Sequence, residues 1–135
     1  MTLRVTNSSK QTVLATHAAV ALTREERIHG LIGVRSMDPG TALLFPQCNA
    51  VHTVQMLMPI DILFIDMVHR VVVKRIRGAM PTCHFNTISL PAALCAVLEL
   101  PAGTIEETGT FPGDALEFMS AGHCTQDELN QIGAL

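Results

Sequence analysis

The chain has 135 residues, 48% of them apolar and 16% charged, with a formal net charge of −3. That balance excludes a disordered chain and fits one domain able to bury a real core, while the dispersed Lys and Arg supply no positive field for a phosphate backbone, so nucleic acid is not an expected partner. No apolar run approaches the ~20 residues that a membrane-spanning helix needs, and the amino terminus lacks the basic-then-apolar pattern of a signal peptide, so the expectation is a cytoplasmic protein with no membrane span.

Leu3–Val5 and Val13–Thr16 read as short strands around the polar turn Asn7–Lys10, an opening hairpin. Thr23-Arg-Glu-Glu26 is a capping box, which starts a helix with Ile28, Leu31 and Ile32 as its apolar stripe and Gly33 as its left-handed terminus. Gly30 lies inside that span, where it weakens a helix by ~1 kcal/mol relative to Ala; close approach of another backbone would account for it. Asp38-Pro39-Gly40 is turn chemistry, followed by a strand over 42–45 that Pro46 stops.

Val51–Met58 reads as a second extended segment. After Pro59, Ile60–Ile65 is apolar on both faces apart from Asp61, as expected of a central strand covered on both sides. Asp66–Arg70 is a hairpin loop and Val71–Ile76 its returning partner, whereas Gly78–Pro91 is a loop without a convincing period. Val97–Leu100 favours a strand preceded by a helical turn. Pro101–Gly109 suits a short helix with Pro101 at its first position, carboxylates near its positive end and Gly109 as terminator. Pro112–Asp114 turns into a last strand over 115–118.

Together these elements predict a single α+β domain over residues 1–119, its strongly curved mixed or antiparallel sheet barrel-like and packed by two short helices. Residues 120–135 read as a polar C-terminal tail. Cys48, Cys83, Cys95 and Cys124 form no C-x-x-C pair and are widely and irregularly spaced, so they read as reduced thiols rather than a disulfide framework or zinc knuckle. The absence of Trp and Tyr disfavours binding by aromatic sandwich.

Six motifs recur in order: Gly30-Leu31-Ile32-Gly33, Gly40-Thr-Ala-Leu43-Leu44-Phe45, Cys48-Asn-Ala-Val51-His52-Thr53-Val-Gln-Met56, Pro59-Ile60-Asp61-Ile-Leu-Phe64-Ile-Asp66, Leu98-Glu99-Leu100-Pro101-Ala102-Gly103 and Gly113-Asp114. Each is weak alone, but the ordered set from about Arg27 to Leu116 resembles the uncharacterised DUF192 (UPF0127) family. Two departures stand out. Where many relatives carry a cation between the motif Met and the Pro, this chain has Leu57-Met58. Where they carry a Pro-aromatic-Arg, it has Pro81-Thr-Cys83-His84-Phe85. The resemblance implies a compact small domain of mixed strands with short helices, and it implies no reaction.

Cys48, His52 and Met56 suggest a soft-metal site by donor chemistry. At ~3.3 Å per residue, however, four positions of straight strand span roughly 13 Å, so the three cannot converge unless the chain bends near Ala50 or a distant Cys83, His84 or His123 joins one of them. No metal and no cofactor are expected. His52 with Asp61 could form a general-base pair, and Cys48 could add a nucleophile; the competing reading makes Asp61 a buried strand residue hydrogen-bonded to His52 or Thr53.

Arg35 is expected in a solvated salt bridge with Asp38 or Asp61, or against an anion. Glu99 alternates outward between Leu98 and Leu100 and reads as a sheet-face residue. Met37, Met56, Met58, Met67 and Met80 supply soft apolar filling. His123 and Cys124 point apart if extended. The functional expectation is a small non-catalytic accessory domain that binds a small ligand or a protein through a polar pocket near His52 and Asp61. Its candidate ligand-binding residues are Cys48, His52, Thr53, Met56, Asp61 and Arg35. The alternative is a small hydrolase or transferase using His52 with Cys48 or Asp61.

Overall fold

A computed structural model describes residues 1–81 and 85–121. The opening hairpin is present as β1 (Thr2–Asn7) and β2 (Thr12–Val20), paired antiparallel. The capping box forms at α1 (Arg24–His29): the Glu26 N–H donates to Thr23 Oγ1 at 3.1 Å and the Thr23 N–H to Glu26 Oε1 at 3.0 Å. This helix stops earlier than its apolar stripe suggests. Gly30, at φ 48°, turns the chain away, and a Cβ placed on it would lie 3.3 Å from the Phe45 ring. Close approach therefore does explain that glycine, by a side chain rather than a backbone.

After the Asp38–Gly40 turn come β3 (Thr41–Pro46) and a short β4 (Ala50–His52). The central strand is β5 (Ile60–Asp66), with β6 (Val71–Ala79) as its hairpin partner. The region read as patternless loop contains β7 (Phe85–Thr87), which pairs with β4 as a separate two-stranded ribbon. A helical turn over Ala92–Leu94 leads into β8 (Cys95–Pro101). The second helix, α2 (Thr104–Thr108), begins after Gly103 rather than at Pro101, which ends β8; Gly109 closes it in the left-handed conformation. The last strand is β9 (Leu116–Ser120). The notional tail overlaps it at Ser120, and His123 and Cys124, like Cys83 and His84, lie outside the described residues.

The main sheet has seven strands in the order β6-β5-β8-β3-β2-β1-β9, antiparallel except for β2 with β3. It curls until its two edges meet at a short seam. There Val71 bridges to Ala115, the Val72 N–H donates to the Asp114 carbonyl at 2.9 Å and the Leu116 N–H to the Arg70 carbonyl at 2.8 Å. The fold is thus α+β and mostly strand, as the sequence predicts.

Alternation along the strands divides the apolar residues between two cores. Inside the curl, Leu3, Leu44, Leu63, Ile65, Leu98 and Leu100 pack together, and Ile105 of α2 plugs one end. On the outer face of β3, β5 and β8, Phe45, Ile62, Phe64 and Val97 form a second core with Met56 and Ala21. The segment after α1 and the β4–β7 ribbon supply its cover through Leu31, Met37, Val51 and Ile88. Both faces of β5 are therefore sealed, which accounts for its nearly unbroken apolar sequence.

Candidate functional site

The motif segment around β4 does not run straight. Gln47 and Gln55, at φ 51° and 61°, hold left-handed conformations that disfavour side-chain-bearing residues, and they bend the chain on either side of β4. Beyond His52 the Met56 N–H turns back to the Thr53 carbonyl at 3.2 Å, so the extended segment expected over 51–58 is confined to Ala50–His52. The bends succeed where a straight strand would fail: Cys48, His52 and Met56 all line one cavity of ≈ 230 Å³.

That cavity lies between the end of α1 and the outer face of the sheet. Arg27 fastens its rim by donating to the Pro46 carbonyl and, at 3.1 Å, to the Gln47 carbonyl. Met56 is buried, Cys48 half-buried and His52 exposed. The Cys48 thiol donates to the Ala50 carbonyl at 3.1 Å. Burial pushes this thiol above its ordinary pKa and Glu99 pushes the same way; the contact with Ala50 and the charge on Arg27 pull against them without prevailing. The Val54 N–H donates to His52 Nδ1 at 3.2 Å, which leaves the proton of the neutral ring on Nε2. Among the described residues, no group of three His, Cys, Asp or Glu side chains could hold a metal ion.

Asp61 does not join this set. Its carboxylate accepts from the Gly78 N–H at 2.8 Å, the Gly103 N–H at 3.1 Å and the Ile105 N–H at 2.8 Å, and so ties the start of β5 to the end of β6 and the start of α2. Strand parity explains the separation. Asp61 shares its face of β5 with Leu63 and Ile65 of the inner core, whereas Ile62 and Phe64 face the outer one. Asp61 borders a different, more open hollow beside Arg77 and Glu106. The pocket near His52 is thus formed without it, and the partners that its burial demanded are backbone amides rather than His52 or Thr53.

Thr53 is buried under the bend, where its carbonyl holds Met56. Arg35 is exposed and enters neither of the two salt bridges found among the described residues, so the expected pairing with Asp38 or Asp61 is not made. Sequence reasoning missed Glu99. It does point outward from the curl, opposite Leu43 and Ile62, but that face is covered and the residue is only 3% exposed. It lines the same cavity as Cys48, and burial alone pushes its pKa from 4.5 to about 7. No local signal announced it, because the cover comes from the pairing of β8 with the doubly covered β5, which is non-local in the chain.

A small curled sheet with a pocket on its outer face is the class of domain these features define. The family match agrees with it. The DUF192 model, described as "Uncharacterized ACR", matches residues 4–118, and the chain belongs to that family. A solved structure of a protein of unknown function from Novosphingobium aromaticivorans DSM 12444 is similar at a TM-score of 0.72 with 24% identity, over 87% of this chain and 84% of the other. Another, named a "putative transcription regulator", from Sinorhizobium meliloti 1021, is similar at a TM-score of 0.73 with 26% identity, over 86% of this chain and 91% of the other. No curated protein matches the chain.

Proposed function

We propose that this domain is a non-catalytic binding module that holds a small ligand in the cavity lined by Cys48, His52 and Met56. The observation that supports the reading is the double bend at Gln47 and Gln55, which turns three polar or soft side chains of one short segment toward a single concavity. Backbone strain of that kind is retained where the surroundings over-determine it, and it concentrates at ligand clamps. A volume of ≈ 230 Å³ falls below the ~300–1,000 Å³ of pockets for drug-sized molecules, so the ligand is small.

The enzyme reading has one observation in its favour, the shared cavity of Cys48 and His52. Two others weigh against it. The thiol is held protonated by burial, and His52 Nδ1 is occupied by the Val54 N–H. The name of the Sinorhizobium relative would point toward nucleic acid, but a net charge of −3 with dispersed cations favours a small ligand here.

The test is a screen of fragments of up to about ten heavy atoms, read by methyl NMR. Ligands of this cavity are expected to shift the Met56 methyl and leave the exposed Met119 on β9 unchanged. Hits that move both methyls equally, or no hit on Met56, would sink the reading. A rapid, selective alkylation of Cys48 by iodoacetamide at neutral pH would favour the enzyme instead.

A further inference from the structure

We infer that the cavity beneath α1 takes a small organic cation, an ammonium or amidinium head on a short apolar body, and that Glu99 selects it. The inference rests on the pocket reading above and adds the ligand class. Glu99 sits between Leu43 and Ile62 on neighbouring strands, with Val97 two residues before it on the same face. Among the described residues its carboxylate makes no hydrogen bond or ion pair, and burial is the sole influence on its titration. Every sealed side-chain nitrogen or oxygen among those residues has a partner. Glu99 has none, so the little surface it keeps must open to the cavity that it lines.

The other titratable groups around the cavity do not answer it. The Arg27 guanidinium donates to the carbonyls of Pro46 and Gln47, and the Cys48 thiol to that of Ala50. His29 and His52 are exposed at the rim. A carboxyl stripped of water with no donor in place is matched by a ligand that brings one, and a cationic N–H brings the strongest. A ligand carboxylate would instead set like charges together. Leu31, Phe45, Val51 and Met56 make part of the wall apolar, which suits a short hydrocarbon body.

The test uses three probes of similar size on the full chain by calorimetric titration: n-butylammonium, 1-butanol and butyrate. Butylammonium is expected to bind about tenfold or more tightly than the other two, in line with a charge-assisted hydrogen bond over a neutral one. Its binding should weaken as pH falls below about 7, where it must displace the Glu99 proton. In Glu99→Gln the preference for the cation should fall by about tenfold while 1-butanol binds as before. Equal or tighter binding of 1-butanol or butyrate by the unaltered protein would overturn the inference and leave the pocket reading standing. No binding of any of the three would likewise overturn the inference, while the pocket reading stands or falls by the Met56 fragment screen. The unaltered protein decides the question even if the variant folds poorly, and a carboxyl carbon-13 titration of Glu99 that butylammonium fails to move would overturn it as well.

Discussion

Asp61 and Glu99 occupy neighbouring positions on paired strands, Glu99 opposite the residue that follows Asp61, yet strand alternation turns them to opposite faces of the sheet. Asp61, 1% exposed, receives three backbone N–H donors from β6 and the start of α2. Glu99, nearly as buried, receives none among the described residues. Burial is therefore common to both, and only the presence of donors separates a carboxylate that builds the fold from one that strains it. Position in the motif does not reveal which is which, because the Pro-Ile-Asp motif holds the structural acid and the Leu-Glu-Leu motif the unmatched one.

The largest test removes the matched acid. Asp61→Ala would orphan three amides at the junction of β5, β6 and α2. It should lower the unfolding free energy by about 4 kcal/mol, and the melting temperature by roughly 15 °C or more. A urea titration that found less than about 1 kcal/mol would end the comparison from its structural side.

Replacing the unmatched acid should do the reverse. Because burial raises the folded pKa of Glu99 from 4.5 to about 7, the native state holds this proton more tightly than the unfolded chain across that interval. Stability from this group therefore declines as pH rises through the interval, and the full penalty, up to about 3 kcal/mol, persists above it. Glu99→Met should abolish that slope and be more stable than the parent at about pH 8, since an apolar chain of similar length has no charge to desolvate. A parent protein whose urea midpoint is flat across the interval would contradict the distinction.

A smaller effect tests how firmly α1 is set over the cavity. Gly30→Ala combines a positive φ with a Cβ 3.3 Å from the Phe45 ring, and should destabilise by about 1–2 kcal/mol, measured by thermal melting. Smallest of all, His52→Ala at the exposed rim should change stability by less than about 0.5 kcal/mol. A drop of several degrees in its melting temperature would make His52 a structural residue instead.

Local chemistry was well expressed in the sequence. The Thr23–Glu26 capping box, the hairpin flanking Asp66–Arg70 and the two-sided apolar pattern of Ile60–Ile65 each depend on residues close together in the chain, and each is found. What escaped was non-local. Nothing in Ala50–His52 or Phe85–Thr87 announces that the two will pair, and Gln47 and Gln55 are not residues whose type signals a left-handed bend. Asp61 shows both sides of this limit: its need for partners was legible, but their identity depended on α2 arriving across the end of the curl. Glu99 was placed on the correct face, and only the later covering of that face made it a buried acid.

The meeting of the first strand with the last segment of the chain also sets the order in which the molecule can assemble. The hairpins β1–β2 and β5–β6 join near neighbours in the chain, but Asn7 meets Thr110 and Asp114 across separations of 103 and 107 residues. Such distant meetings incur their loop-closure entropy before any contact compensates it, so refolding should fall toward the slow, millisecond-to-second end of the range for small domains. Until closure, two strand edges stand open to other chains. Recovery of native protein after dilution from urea should accordingly fall as its concentration rises.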